Sequence, residues 1–176
     1  GLGIGNELDS WYVHKRGSFT VIVGLDNVGK TNFMLWYFLC LSVKHNVKWL
    51  IWSGENSAGQ LTRDLIQMYS QSKLVDLNKL EIEEYNNKIG KWFTFVSNKK
   101  MYNHKDLLKL FKESKCDACA IDPYTGLNHD RKVNQYERNY LICNDIREFC
   151  NTTGKSIYVM THPMTESARR VYPPNH

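Results

Sequence analysis

Eight consecutive residues near the start of the chain have the types and spacing needed to bind phosphate. Residues 24–31 fit the pattern GxxxxGK followed by Ser or Thr, in which a glycine-rich loop aims backbone N–H groups at phosphate oxygens. In this pattern Lys30 reaches the β- and γ-phosphates of a nucleotide, and the hydroxyl of Thr31 binds Mg²⁺. The predicted nucleotide contacts are Gly24, Leu25, Asp26, Asn27, Val28, Gly29, Lys30, Thr31 and Asn32.

The segments that flank this loop favour a nucleotide site over a plain glycine turn. Residues 19–23 are β-branched or aromatic, as in a buried strand. Residues 32–41 are almost entirely apolar, as in a helix packed inside a domain. A loop between a strand and a helix N-terminus is the setting in which backbone N–H groups and the helix dipole bind anions.

Strand and helix patterns alternate along the rest of the chain. Caps at Ser57 and Asn103 predict two helix starts, and Gly154 predicts a helix end. Residues 72–91 are predicted to be a polar, partly helical and solvated excursion. The pattern predicts an α/β fold with a mostly parallel sheet and helices on both faces. The further predicted strands cover residues 49–52, 92–96, 118–121 and 157–160.

Three polar residues end predicted strands, where ligands bind in parallel sheets. Glu55 could activate water as a general base, or could complement a helix dipole, and its position leaves both roles open. Asp122 could hold Mg²⁺, with a turn before proline as the alternative. His162 could contact the γ-phosphate, although a lone histidine is more often structural.

Composition bounds the protein class without identifying a ligand. The 176 residues are 42% apolar and 23% charged, which suits one globular domain. The net charge of +5 permits nucleic-acid binding without requiring it.

The five cysteines lack the spacing of a disulfide framework, which predicts a reducing, cytoplasmic compartment, and the Cys116–Cys119 pair is interpreted as structural. No apolar run approaches the ~20 residues of a membrane span.

Two basic loops leave the predicted ligand-binding edge of the sheet. One contains Arg131 and Lys132, and the other contains Arg169 and Arg170. Such loops can contact a phosphate backbone, but solvated loop charge is the simpler interpretation when position alone is considered.

Together, these strand-end residues resemble the RecA-like ATPase core of hexameric replicative DNA helicases, the family of DnaB, Twinkle and phage primase-helicases. The likeness runs from about residue 17 to 170 and is carried by the phosphate loop and by the residues after three strands. The segments that carry it are residues 24–31, Trp49-Leu-Ile-Trp-Ser-Gly-Glu-Asn-Ser-Ala-Gly-Gln-Leu61, Ala120-Ile-Asp-Pro-Tyr124 and Val159-Met-Thr-His-Pro163.

The resemblance implies a P-loop NTPase that uses ATP and Mg²⁺. It implies that Glu55 is the catalytic base, that Asp122 holds Mg²⁺ through water, and that His162 senses the γ-phosphate. It further implies that the two basic loops bind single-stranded DNA and that the chain assembles into a hexameric ring. An intracellular protein is expected, and a phage gene in a bacterial host would fit the family.

One departure from the family concerns the end of the chain. The family core continues past the fifth strand with strands that carry an arginine finger acting in trans. This sequence stops at His176, so no arginine is assigned as the finger. We therefore expect residues 1–176 to form a single RecA-like ATPase domain that lacks its C-terminal strands.

Other nucleotide-binding classes fit less well. The phosphate loop also resembles that of thymidylate kinase, but residues 53–56 lack the Asp-Arg pair that such kinases use. Residues 98–101 lack the aspartate of the guanine-reading motif of GTPases. A RecA-like recombination or loading ATPase without strong unwinding activity remains an alternative from sequence.

Overall fold

The strands of this chain form one parallel sheet. The structure is a computed structural model that describes residues 1–25, 28–129 and 132–163. Within these residues the sheet has five strands in the order β1-β5-β4-β2-β3, and every neighbouring pair is parallel. This confirms the predicted parallel sheet. The strands are β1 (Phe19–Val23), β2 (Trp49–Ser53), β3 (Phe93–Phe95), β4 (Ala118–Asp122) and β5 (Ser156–Thr161).

Helices cover both faces of the sheet, as predicted. The helices are α1 (Lys30–His45), α2 (Ala58–Ser70), α3 (Lys79–Trp92), α4 (His104–Glu113) and α5 (Gln135–Thr153). Because successive strand residues point to opposite faces, Trp49 packs with α1, α2 and α3, while its neighbour Leu50 packs with α4 and α5. Tyr158 and Ile157 of β5 divide between the two faces in the same way.

The predicted helix ends are confirmed by their hydrogen bonds. The Ser57 hydroxyl accepts from the N–H of Gln60 at 3.2 Å, and the Asn103 side chain accepts from the N–H of Asp106 at 2.8 Å. Each cap satisfies an N–H group that has no partner inside its helix. Gly154 ends α5 with φ at 70°, a backbone conformation that favours glycine.

The predicted polar, partly helical excursion over residues 72–91 contains α3, and most of its residues are exposed, but one face of this helix is packed against the domain, which the prediction did not include. This helix starts with a complete capping box between Asn78 and Glu81. Ile89 is 1% exposed, and the rings of Tyr85 and Trp92 pack against Tyr69 of α2 at 5.7 and 6.0 Å. The charges of the segment masked its apolar face. The third strand accordingly begins one residue later than predicted, since the residue before it closes α3.

A segment before β1 packs onto the sheet through a chain of hydroxyl hydrogen bonds that the sequence pattern did not predict. Thr20 donates to Tyr12 at 3.0 Å, Tyr12 donates to Tyr158 at 2.8 Å, and the Tyr158 hydroxyl shares a hydrogen bond of 2.8 Å with Nδ1 of His14. The backbone of Leu2 pairs with that of His14. His14 is 1% exposed, so the chain of hydroxyls satisfies a buried imidazole.

We expect His14 to make stability depend on pH. Burial, followed by the nearby positive charge of Arg16, lowers the pKa of His14 from 6.5 to about 4. The unfolded chain therefore takes up a proton first, and folding stability falls as pH drops from 6.5 to about 4. The loss amounts to about 3 kcal/mol at 1.36 kcal/mol per pKa unit.

Urea unfolding at several pH values measures this effect. His14→Gln keeps a hydrogen-bond acceptor but does not titrate, so the variant should lack this part of the pH dependence. Carboxylates titrate alike in both proteins and cancel in the difference. Parallel stability curves for the two proteins would contradict the assignment to His14.

Candidate active site

The residues predicted at the strand ends meet around one cavity. It has a volume of about 640 Å³ and lies at the carboxyl edge of the sheet, where the parallel strands end together. The predicted residues that line it are Lys30, Thr31, Glu55, Asp122 and His162, together with Gly29 and Asn32 of the phosphate loop and its helix. Five positions separated along the chain by up to 132 residues thus share one surface.

The phosphate loop connects β1 directly to the first turn of α1. Gly29 caps the helix with φ at 81°, in the left-handed region that a side chain would strain. The N–H of Gly24 donates to the carbonyl of Thr161 at 3.3 Å and ties the loop to the end of β5. Leu25 and Val28 are exposed. Asp26 and Asn27 lie outside the described residues.

Lys30 lies folded into the loop. Its ammonium donates to the carbonyls of Gly24 and Leu25 at 2.5 and 2.6 Å, and it lies 3.0 Å from Nδ1 of His162. An ammonium group can only donate, so Nδ1 of His162 accepts and the ring proton is on Nε2. That nitrogen is 3.9 Å from a carboxylate oxygen of Glu55. His162 therefore stands between the lysine and the glutamate.

A hydrogen bond between Thr31 and Asp122 connects the end of the phosphate loop to β4. The Thr31 hydroxyl donates to Oδ2 of Asp122 at 2.7 Å. Asp122 is 3% exposed, whereas most aspartates are solvated, so this hydrogen bond satisfies a carboxylate that burial would otherwise penalise. Two oxygen atoms are thereby held together at the edge of the cavity.

A turn after β2 directs Glu55 into the cavity. The buried Ser53 hydroxyl accepts from the N–H of Asn56 at 3.0 Å, and the N–H of Gly54 donates to the Asp122 carbonyl at 2.8 Å. These bonds fix the backbone on both sides of Glu55. Its side chain remains 58% exposed and is therefore open to solvent water.

Two polar residues that line the cavity were missed by the sequence analysis. Asn56 follows Glu55, and Asp64 lies on α2, where it accepts a hydrogen bond from the side-chain amide of Gln60 at 2.9 Å. Asp64 follows the buried Leu61 by three residues, a one-turn spacing that places both on one side of the helix. That spacing was the available signal.

The predicted DNA-contacting residues are only partly described. Lys132 is exposed in the loop between β4 and α5. Arg131, Arg169 and Arg170 lie outside the described residues, so their predicted role stays a prediction.

Three further features of the described residues are the state of the cysteines, possible metal ligands and helix length. All five cysteines are free thiols, and Cys119 and Cys150 are buried. Within the described ranges, no group of three or more His, Cys, Asp or Glu side chains could hold a metal ion. In the same ranges, no helix is both long and apolar enough to cross a bilayer.

Solved structures share this fold. No family model and no curated protein sequence match the chain. The solved ATPase domain of a helicase superposes with a TM-score of 0.69 at 14% identity, over 91% of this chain and 63% of that one. A DnaB-like replicative helicase, studied with its interactions with primase, gives a TM-score of 0.69 at 14% identity, over 90% of this chain and 42% of that one.

The chain thus has the RecA-like α/β fold of helicase ATPase domains and spans less than two thirds of the length of these two structures. At 14% identity the similarity establishes the fold and nothing further about this chain.

The hydrogen bond between Thr31 and Asp122 predicts a specific pattern of stability. Thr31→Val keeps the shape of the side chain but leaves the buried carboxylate without its donor, which should cost about 2 kcal/mol of unfolding free energy. Thr31→Ser retains the hydroxyl and should lose much less. Urea denaturation without nucleotide compares the two variants, and equal stabilities would show that the bond contributes little.

Proposed function

We propose that this chain is the ATP-hydrolysing motor domain of a ring-forming DNA helicase. The observation that carries the proposal is the convergence of Lys30, Thr31, Glu55, Asp122 and His162 on one cavity of a RecA-like fold. Each residue has the chemistry of one step in nucleotide hydrolysis, and the steps below follow from their contacts.

Lys30 and the first turn of α1 bind the nucleotide phosphates. The ammonium now donates to two loop carbonyls, and phosphate oxygens can replace these neutral acceptors with charged ones. The N–H groups at the start of α1 point toward the same space and add the favourable end of the helix dipole. The β- and γ-phosphates are therefore held beside the other site residues.

Thr31 and Asp122 suit Mg²⁺. They present oxygen atoms 2.7 Å apart, and oxygen is the ligand that this hard cation prefers. Mg²⁺ usually takes only one or two protein carboxylates and completes its shell with water and phosphate, so a site with one aspartate and one hydroxyl fits. Thr31 and Asp122, the latter through water, would hold the ion, which would supply neutralisation of charge on the phosphate oxygens.

Glu55 activates the attacking water, and His162 detects the γ-phosphate. The Glu55 carboxylate takes a proton as the water oxygen bonds to the γ-phosphorus, while the bond from that phosphorus to the ADP oxygen breaks. The Nε2–H of His162 points toward the Glu55 side and can donate to a γ-phosphate oxygen. Because His162 also contacts Lys30, loss of the γ-phosphate changes its partners.

The proposed partners are single-stranded DNA and further copies of the chain. Lys132 is exposed beyond β4, and Arg131, Arg169 and Arg170 belong to the same two basic loops of the sequence. A net charge of +5 is compatible with a phosphate backbone as ligand. A hexameric ring is proposed from the helicase resemblance, and a DnaB-like replicative helicase shares the fold.

Replacing the proposed base should stop hydrolysis while leaving nucleotide binding intact. Glu55→Gln keeps the size and hydrogen bonding of the side chain but cannot take the proton, so ATP turnover should fall about 10²–10⁴-fold. Phosphate release measures turnover, and binding of a labelled ATP analogue measures affinity. Glu148→Gln, an exposed change on α5, serves as the matched control. Turnover that survives Glu55→Gln would exclude this residue as the base.

The basic loops should set the salt dependence of DNA binding. Lys132→Ala should weaken binding of oligothymidylate about equally for all sequences and reduce the slope of log affinity against log salt concentration by about 1. Lys48→Ala, a change at the opposite edge of the sheet, is the control. Fluorescence anisotropy at several salt concentrations measures both quantities, and an unchanged slope would remove Lys132 from the DNA contact.

A further inference from the structure

The segment between β3 and α4 lies at the same edge of the sheet as the candidate active site. Because β3 runs parallel to β2, the residues that follow the two strands leave the sheet at the same edge. The N–H of Val96 donates to the carbonyl of Ile51 at 2.8 Å, which carries the pairing one residue beyond β3. Residues 97–102, here called the β3–α4 loop, therefore start at the edge where parallel sheets bind their ligands.

This loop carries positive charge that nearby sequence does not balance. Residues 97–105 contain three lysines and neither aspartate nor glutamate. Lys99 and Lys100 are exposed, and neither forms an ion pair within the part of the chain that the structure describes. The Nζ of Lys100 lies 5.2 Å from the centre of the Tyr102 ring, a contact that attracts the cation without neutralising it. A polyanion is the partner that complements such a segment.

One side of the loop is bonded to the turn that carries Glu55. The side-chain amide of Asn98 donates to the carbonyl of Asn56 at 3.3 Å. Asn56 lines the candidate active-site cavity, and its own N–H donates to the hydroxyl of Ser53 at 3.0 Å. The exposed Asn98 is therefore attached to the residue that follows the proposed catalytic base.

The other side of the loop is bonded to the segment after β4. The N–H of Asn128 donates to the carbonyl of Tyr102 at 2.8 Å. Lys132, a proposed DNA contact, follows Asn128 in the same segment and is exposed. The β3–α4 loop is thus hydrogen-bonded both to the turn that carries Glu55 and to the segment that carries Lys132.

The side chains of the loop suit a single strand better than a duplex. Met101 is 70% exposed beside the two lysines, and Tyr102 is partly exposed. Single-stranded DNA offers phosphates to the lysines and unpaired bases to apolar and aromatic side chains, whereas a duplex keeps its bases stacked inside. Charge and exposed apolar surface therefore favour the same partner.

We propose that the β3–α4 loop is a further contact for single-stranded DNA. Lys99 and Lys100 bind its phosphate backbone, and Asn98 transmits the contact to the turn that carries Glu55. This inference rests on the proposed function, in which DNA is a partner of the chain, and it adds a third segment to the two basic loops. Movement of the loop on DNA binding changes the hydrogen bond to the Asn56 carbonyl. Because small displacements of a catalytic group change reaction rates strongly, ATP turnover then responds to DNA.

Binding of oligothymidylate to the full chain tests the phosphate contact. The double variant Lys99→Gln, Lys100→Gln should reduce the slope of log affinity against log salt concentration by about 1.4, since each phosphate contact to a single strand contributes about 0.7. The matched control is the double variant Lys109→Gln, Lys112→Gln, which removes two exposed lysines further along α4 and should keep the parent slope. Fluorescence anisotropy at several salt concentrations measures the slope.

Three results would overturn the proposal. The first is an unchanged slope in the Lys99, Lys100 double variant while parent binding still depends on Lys132, which refutes this inference and leaves the proposed function standing. The second is a parent protein that does not bind oligothymidylate, which refutes DNA as a partner altogether. The third is a loss of self-association in the double variant, measured by sedimentation velocity, which assigns the two lysines to a contact between copies of the chain.

ATP turnover with and without oligothymidylate tests the connection through Asn98. Asn98→Ala removes the amide donor but no charge, so DNA affinity should stay at the parent value. Turnover with DNA should then equal turnover without it, whereas in the parent protein the two rates should differ. Asn87→Ala, an exposed change on α3, is the control and should respond to DNA as the parent does. A parent-like response in Asn98→Ala would contradict transmission through this residue.

Discussion

The hydrogen bond from Thr31 to Asp122 joins the start of α1 to β4, although β1, the strand that leads into α1, is not a neighbour of β4 in the sheet. β5 lies between β1 and β4, so the bond passes over the carboxyl end of β5, where His162 stands. The start of α1 is thereby held above His162, and Lys30 comes within 3.0 Å of its ring. The geometry of the cavity depends on this hydrogen bond, because it fixes the position of the phosphate loop relative to the ends of β4 and β5.

The position of β5 between β1 and β4 also explains the role of the segment before β1. Tyr158 of β5 receives a hydrogen bond from Tyr12 and shares one with His14, so this segment is attached to the strand that ends at the candidate active site. Tyr158 further packs against Phe38 of α1 at 5.0 Å. One buried phenol therefore contacts the N-terminal segment, the helix that follows the phosphate loop, and the sheet.

A different cavity lies on each face of the sheet, and β4 together with the loop after it contributes residues to both cavities. Its last residue, Asp122, lines the candidate active-site cavity on the side of α1. The loop that follows it carries Asn128 and His129 to the other cavity, on the side of α4 and α5. Parallel strands make this arrangement possible, because a strand end and the loop after it lie at the same edge but can turn toward either layer.

The sequence alone determined the strands, the phosphate loop, the caps at Ser57 and Asn103, and the strand-end positions of Glu55, Asp122 and His162. These features depend on residue type and short spacing, which a linear chain displays directly. Only the tertiary structure decided that Asp64 joins the cavity, that His162 lies between Lys30 and Glu55, and that His14 is buried. Those contacts join residues far apart in sequence, so they depend on strand order and helix packing, which local patterns do not encode. The same reason explains why the sequence indicated a partly helical segment at α3 but not the face of that helix that packs against α2.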